Sequence, residues 1–195
     1  MSRHVSDIDP QPPPPQSPVS PSHRNRWRRR LWQVALVLVV FWAVQAVMTR
    51  DAVKGLAPPL AGWSMQGPYV RLQEVLETAG GDPVMVHFWA TWCPICRAEM
   101  STIAAVARDH AVITVAMQSD PAVVTRYLNE NGLNFVTLVD DGGALARRYG
   151  VRGVPTTFII AADGEIDAVD VGFSTELGLR VRLWLAGWRR GRGSG

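Results

Sequence analysis

The stretch Val84-Met85-Val86-His87-Phe88-Trp89-Ala90-Thr91-Trp92-Cys93-Pro94-Ile95-Cys96 decides the fold of this 195-residue chain. Its first six residues are apolar apart from His87 and predict a buried strand, and residues 97–107 predict a helix with an apolar face. Cys93 and Cys96 are the only cysteines in the sequence. A C-x-x-C pair placed between a strand and a helix indicates a dithiol used in redox exchange.

This placement predicts different roles for the two thiols. At the start of a helix, the helix dipole and the unpaired backbone N–H groups favour a thiolate at Cys93. Cys96 lies one turn further in, better shielded, where it can attack a mixed disulfide formed on Cys93. A structural disulfide across this spacing would close a ring too short to constrain much of the chain. A zinc site needs about four ligands, and the sequence offers neither a second cysteine pair nor suitably spaced histidines, so we expect no bound metal.

The positive charge of the chain is concentrated at its N-terminus. Residues 1–30 hold six Arg against two Asp, a net charge of +4, whereas residues 31–195 hold 14 basic and 15 acidic groups. The globular part is therefore close to neutral and lacks a basic patch with interleaved aromatic residues. These features exclude nucleic acid as a partner.

Residues 1–30 predict a disordered cytoplasmic tail. Seven of the twelve residues between 10 and 21 are proline, a composition that cannot bury a core and favours an extended spacer. A ligand of the PxxP type is the alternative use of this segment.

The apolar run of residues 31–48 contains only two polar members, Gln33 and Gln45, and is long enough to span a bilayer as a helix. Five Arg precede the run and few basic residues follow it, so the positive-inside rule places the N-terminus in the cytoplasm and the remainder outside. A cleavable signal peptide is the alternative, but the run and its flank are long for one. Either way the dithiol faces an oxidising compartment, and we expect a single-pass anchor in a bacterial inner membrane with a periplasmic domain.

The exported part is long enough for one domain with a single core. Residues 49–62, rich in Gly and Pro, predict a linker, and residues 63–190 predict the domain. Asp163-Gly164 predicts a hairpin turn, after which a last helix closes the chain. The pattern indicates an α/β fold with a mixed central sheet flanked by helices. The strands are predicted at residues 84–89, 112–117, 135–139, 156–161 and 166–171.

Two separate motifs resemble the thioredoxin fold in its membrane-anchored, exported branch. The first, Phe88 to Glu99, is similar to the FWATWCxxCRxE signature of TlpA-, ResA- and CcmG-like proteins. The second, Tyr149 to Phe158, is similar to the segment that carries a cis proline in that group. The resemblance covers residues 60–188. Within the group, the first motif and the last helix look most like the ScsD branch, which is associated with copper tolerance.

The resemblance implies a role for each residue of the two motifs. Cys93 would be the attacking thiol and Cys96 the resolving thiol. Pro155 would be a cis proline against the dithiol, and Val154 would offer its backbone to an extended substrate strand. Trp92 and Pro94, beside the thiols, would support substrate binding.

Two ionisable residues near the dithiol have alternative interpretations. Thioredoxin-like domains often place an acid six residues before the first cysteine, where it helps proton transfer, and this sequence has His87 there. A neutral imidazole would serve the same purpose, or His87 is a strand histidine satisfied by backbone partners. Glu99, three residues after Cys96, either tunes the thiols, as the resemblance implies, or is a solvated helix glutamate paired with an Arg.

The sequence therefore predicts a membrane-anchored protein-disulfide oxidoreductase whose redox-active group is the Cys93–Cys96 pair. It carries no flavin or nicotinamide fingerprint, so we expect no cofactor and a protein redox partner. For reduction of exported protein disulfides, that partner would be a transmembrane electron donor of the DsbD type. Three alternatives remain: a disulfide donor, a Cu(I) carrier using the same thiolates, and a docking module without turnover.

Overall fold

The computed structural model of the chain describes residues 23–49 and 52–191. Helices and strands alternate through most of residues 72–191, as the sequence predicts. The helices are α1 (His23–Thr49), α2 (Leu72–Thr78), α3 (Pro94–Val106), α4 (Pro121–Glu130), α5 (Ala144–Arg148) and α6 (Glu176–Gly191). The strands are β1 (Gly55–Leu56), β2 (Ala61–Trp63), β3 (Tyr69–Arg71), β4 (Val84–Trp89), β5 (Val112–Met117), β6 (Val136–Asp140), β7 (Thr156–Ile160) and β8 (Glu165–Val171).

The central sheet is mixed and has six strands in the order β1-β8-β7-β4-β5-β6. Strands β4, β5 and β6 run parallel, and β7 runs antiparallel to β4. β8 is antiparallel to β7 and therefore runs in the same direction as β4. β4 is buried along its whole length because both faces of the sheet are covered. The predicted α/β mixed sheet is confirmed.

Local sequence explains where the helices around the sheet begin. Asp120 caps α4 by accepting a hydrogen bond from the Ala122 N–H at 2.7 Å, and Pro121 occupies the first helical turn. α3 begins in the same way, with Cys93 at the cap position and Pro94 first in the helix. Both helices start at the carboxyl ends of parallel strands, so the dithiol lies at that edge of the sheet.

Each face of the sheet packs against its own set of helices. Helices α3, α4 and α6 cover one face, and we call it the dithiol face because Cys93 and Cys96 belong to its core. The opposite face packs against α2, α5 and the segment before β2, and its centre is a cluster of Phe88, Tyr149 and Phe158. We call this second surface the aromatic face.

The domain begins earlier than the sequence pattern predicts. Residues 49–62 are predicted as a linker, but β1 pairs with β8 in the main sheet and Leu60 is buried. Leu56 and Leu60 supply apolar side chains within a stretch whose Gly and Pro content otherwise suggests a loop. The small β2–β3 sheet and α2 have no counterpart in the sequence prediction, because their segments are too short to show a periodicity.

By their internal contacts, the described residues up to Trp42 form one unit and the residues from Ala43 onward form a second. Residues 23–30, predicted as part of the disordered tail, are helical in α1, where proline is absent and arginine favours helix. Residues 1–22 of the predicted tail lie outside the described residues. Among the helices that the structure describes, none has both the length and the apolar character needed to cross a bilayer. The side chains of residues 41–42 and 44–49, in the predicted anchor, lie outside the described part.

Candidate active site

The dithiol occupies the corner between β4 and α3. Cys93 is the N-cap residue of α3, and its Sγ accepts a hydrogen bond from the Cys96 backbone N–H at 3.1 Å. The two cysteines are joined in a disulfide, with their Cα atoms 5.3 Å apart. In the reduced protein the same N–H and the positive end of the helix dipole would stabilise a thiolate on Cys93.

The two sulfur positions differ in their access to solvent. Cys96 is completely buried and Cys93 is 5% exposed, so a disulfide partner meets Cys93 first. Around this opening, Trp92 and Ile95 are 60% and 52% exposed, respectively, and Pro94 is also exposed. These apolar side chains surround the sulfur with a surface suited to a protein substrate rather than to a small polar molecule.

The loop before β7 lies directly against the dithiol. The Cys93 Sγ is 3.8 Å from the Val154 carbonyl oxygen, and the Val154–Pro155 peptide bond is cis. Pro155 is buried, and its own carbonyl accepts a hydrogen bond from Gly172. No other described residue forms a hydrogen bond with the Val154 backbone, so its N–H and C=O are available to an extended peptide.

Glu99 is buried on α3, three residues after Cys96. Its side chain is fully shielded from solvent, and Oε1 accepts a hydrogen bond from the Ser174 backbone N–H at 2.9 Å. Oε2 has no partner among the described residues. Burial raises the pKa of Glu99 to about 7, the Ser174 N–H opposes this rise, and the charge of Asp170 adds to it. The interpretation of Glu99 as a solvated helix residue paired with an Arg is wrong.

His87 is also buried, on the dithiol face of β4. Its Nδ1 lies 2.9 Å from the Thr157 hydroxyl, and its Nε2 has no partner among the described residues. Because burial penalises the charged imidazolium, the pKa of His87 falls to about 3. The predicted backbone partners are not present, and the ring is instead held by one side chain across the β4–β7 pair.

A row of polar side chains crosses the dithiol face at the level of His87. In the register of the sheet, Thr157 and Thr114 lie on either side of His87, Asp170 lies beyond Thr157, and Thr137 lies beyond Thr114. The Thr114 hydroxyl donates to the Thr137 hydroxyl at 3.0 Å. Sequence analysis missed this row, since each strand supplies one polar residue and only the strand register aligns them.

Asp170 connects this row to the loop that holds Glu99. The Ser174 hydroxyl donates to Asp170 at 2.6 Å, and Arg182 of α6 forms an ion pair with the same carboxylate at 3.2 Å. Ser174 thus contacts Glu99 through its backbone and Asp170 through its side chain. The end of β8 and the start of α6 therefore hold the Glu99 carboxylate in place through Ser174.

A shallow groove lies beside the dithiol, between α3 and α4. Its volume is about 570 Å³, and Arg97, Tyr127 and Glu130 are among the residues that line it. A second depression shares these three residues and extends to Trp92 and Arg126. The groove and the second depression therefore leave an open surface beside the residues that flank Cys93.

The fold and this site define a thioredoxin-fold protein with a dithiol at the N-terminus of a helix. Residues 53–169 match the AhpC/TSA family, and the chain belongs to that family. The chain is 35% identical over 106 residues to a thioredoxin-like protein of Haemophilus influenzae. It is 32% identical over 117 residues to the thiol-disulfide oxidoreductase ResA of Halalkalibacterium halodurans.

These two alignments cover 53% and 57% of this chain and 63% and 64% of the relatives, so the chain spans less than two thirds of their lengths. Among solved structures, a thioredoxin-family thiol:disulfide interchange protein of Chlorobium tepidum superposes with a TM-score of 0.60. It is 25% identical, and the match covers 70% of this chain and 99% of that one. The predicted relationship to the TlpA, ResA and CcmG group is confirmed.

Proposed function

We propose that this protein is a thiol–disulfide oxidoreductase that reduces disulfides of exported proteins through Cys93 and Cys96. The observation that supports this most directly is the position of Cys93. Its sulfur lies at the N-terminus of α3, and Cys93 is the more exposed of the two cysteines. The same sulfur lies 3.8 Å from the Val154 carbonyl oxygen, with which no other described residue forms a hydrogen bond. A peptide paired with Val154 would bring its own disulfide to Cys93.

The reaction transfers two electrons in two exchanges. The Cys93 thiolate attacks one substrate sulfur, the substrate S–S bond breaks, and a mixed disulfide forms while the leaving thiolate takes up a proton. The Cys96 thiol then loses its proton and attacks the Cys93 sulfur. This step forms the Cys93–Cys96 disulfide and releases the second substrate thiol. The substrate is reduced and the protein is oxidised.

Glu99 is the proposed acceptor for the proton that Cys96 loses. It lies on the same face of α3 three residues later, it is buried with one free oxygen, and its pKa of about 7 suits proton exchange near neutral pH. Glu99→Gln should slow resolution of the mixed disulfide by at least about tenfold, within the range for loss of a general base. The matched control is Glu77→Gln on the exposed side of α2, which packs against the aromatic face, and it should leave the rate unchanged.

Exchange with a protein partner would restore the dithiol, since the sequence has no fingerprint for a flavin or nicotinamide cofactor. In an oxidising compartment that partner is a transmembrane donor of the DsbD type. We propose that residues 31–48 tether the domain to the outer side of the bacterial inner membrane, with the N-terminus in the cytoplasm. The apolar run and the five Arg before it support this arrangement. Resistance of the full chain to alkaline carbonate extraction tests the tether.

Replacement of the resolving thiol tests the reaction. Cys96→Ser should accumulate mixed disulfides on Cys93 that dithiothreitol reduces. Cys93→Ser should form none. Cells under copper stress are one source of substrates to test, because the motifs resemble the ScsD branch. Failure of Cys96→Ser to trap any disulfide-bearing protein, while the variant stays folded, would contradict the proposal.

The reduction potential of the Cys93–Cys96 pair tests the direction of electron transfer between the protein and its substrate. A value near the thioredoxin end of the scale, about −270 mV, supports a reductase. A value near about −120 mV would make the protein a disulfide donor instead.

A further inference from the structure

An apolar stripe runs along the outer side of α6. Leu177, Val181, Trp184 and Trp188 recur at intervals of four, three and four residues, which places them on one side of the helix. All four are exposed, Trp184 by 62%, although the opposite side of α6 is buried in the dithiol face. The rings of Trp184 and Trp188 stack, with centroids 6.0 Å apart. The helix is therefore apolar on two sides, of which one is buried against the sheet and the other is exposed.

The C-terminal end of this helix is basic. Arg189, Arg190 and Arg192 follow Trp188 within four residues, and no acidic residue lies among them. Within the described part of the chain, Asp167 pairs with Arg189 at 2.9 Å. Exposed tryptophans next to a basic cluster favour the interface of an anionic bilayer, because the rings suit the headgroup region and the arginines attract its charge.

The other charged groups beside the stripe are already neutralised by neighbours. Arg180 forms ion pairs with Glu176 and with Asp109, both at 2.8 Å. Across the helix, Arg182 pairs with Asp170. These pairs lie along the flanks of α6 and leave the stripe itself apolar. An apolar centre with charged flanks is the arrangement of a helix that lies in the plane of a membrane surface.

The course of the chain brings the basic end of α6 to the edge at which the domain begins. Gly187 packs close to Pro83, immediately before β4, at the edge opposite the dithiol. β1 reaches the same edge, where the Ala57 N–H donates to the Gly164 carbonyl in the β7–β8 turn. The chain therefore enters the domain at the same edge at which α6 ends.

We propose that the stripe of Leu177, Val181, Trp184 and Trp188 docks the domain onto the anionic surface of the membrane that anchors the chain. This proposal rests on the tether put forward above and goes beyond it. The helix axis then lies parallel to the bilayer. α6 runs from the loop beside Glu99 to the opposite edge, so the dithiol is held at one lateral end of the domain near the membrane surface. A membrane-embedded electron donor would meet it there.

Hydroxyl-radical footprinting of the full chain in nanodiscs that contain phosphatidylglycerol tests the docking, since mass spectrometry reads each tryptophan separately. Trp63 is the internal reference: it is 72% exposed and belongs to the small sheet that bridges to β6, on the far side of the central sheet. We expect Trp184 and Trp188 to be oxidised at least about fivefold more slowly than Trp63, as a side chain buried at the interface would be. Protection should weaken in phosphatidylcholine discs and at high salt.

Two variants sharpen the test. Trp184→Gln with Trp188→Gln should raise the oxidation of Leu177 and Val181 in the same discs, whereas the control Trp63→Gln should not. Both variants should reduce a soluble disulfide substrate at the wild-type rate, which shows that they are folded and that the chemistry is separate from docking.

Three outcomes would overturn the proposal in distinguishable ways. Oxidation of Trp184 at the rate of Trp63, in a chain that resists carbonate extraction, refutes docking and leaves the tether intact. Release by carbonate refutes the tether, and docking with it. Protection that appears only when a disc holds two copies assigns the stripe to a second copy of the chain. None of these outcomes bears on the trapping of mixed disulfides by Cys96→Ser.

Discussion

The dithiol face and the aromatic face of the sheet share the same strands but differ in their polar content. On the dithiol face, three buried polar atoms have no partner among the described residues: His87 Nε2, Trp89 Nε1 and Glu99 Oε2. On the aromatic face, Phe88 and Phe158 form the centre, and the Tyr149 hydroxyl donates to the Pro58 carbonyl at 2.8 Å. Unpartnered buried polar atoms cost stability, so we infer that the first face is shaped by reactivity and the second by packing.

The largest effect is expected from truncating the centre of the aromatic face. Phe158 is completely buried, with ring centroids 5.7 Å from Phe88 and 5.1 Å from Tyr149. Phe158→Ala should lower the free energy of unfolding by about 3–5 kcal/mol, because it leaves a cavity between the two remaining rings. Urea denaturation of the oxidised protein measures this loss, and the reduction potential of the remaining folded protein should stay unchanged. The exposed control, Phe173→Ala, should change stability by no more than about 0.5 kcal/mol.

Replacement of Glu99 should change how the free energy of unfolding depends on pH between about pH 4.5 and 7. Its pKa is about 7 in the folded state and lower in the unfolded state, so the folded protein holds the extra proton between about pH 4.5 and 7. The stability that protonated Glu99 contributes is therefore present in full below this range and is lost as pH rises through it, by up to about 3 kcal/mol. Relative to wild type, Glu99→Gln should gain that amount between pH 4.5 and 8. A constant difference across this range would contradict the burial of an ionisable Glu99.

His87 should have the opposite effect on the pH dependence of stability, because its contribution to the free energy of unfolding falls as the pH falls. Its pKa of about 3 lies below the unfolded value of 6.5, so the unfolded state binds the extra proton between these values. Stability from the neutral ring is present above pH 6.5 and is lost as pH falls. Relative to wild type, His87→Asn should gain about 3 kcal/mol between pH 7 and pH 4. Urea midpoints at the two pH values measure this gain, and a parallel loss in both proteins would contradict it.

The smallest effect is expected from the single polar contact of the aromatic face. Tyr149→Phe removes the hydrogen bond to Pro58 but keeps the ring against Phe88 and Phe158. The free energy of unfolding should fall by about 1 kcal/mol. This loss should be the same at every pH between 4 and 8, since burial raises the pKa of Tyr149 well above that range. A pH-dependent loss would mean that the two faces are coupled more closely than their separate cores indicate.

The sequence alone determined the fold class and the central pair of the site. Three local features carry this prediction: the strand before Cys93, the proline that starts α3 and the spacing to Cys96. Each can be recognised without the rest of the chain. The capping residue Asp120 and Pro121 at the start of α4 are local features of the same kind. The second motif, around Pro155, could be placed only through resemblance to a family, because nothing local reveals that it packs against Cys93.

Only the tertiary structure decided the chemical surroundings of the dithiol. Glu99 looks like a surface glutamate in sequence, and it is buried because the Ser174 loop, 75 residues later, closes over it. The polar row through His87 depends on the register of five strands, and β1 enters the sheet only because β8 offers it an edge. These features depend on contacts between distant segments, and a pattern within one segment records neither the partner nor the register.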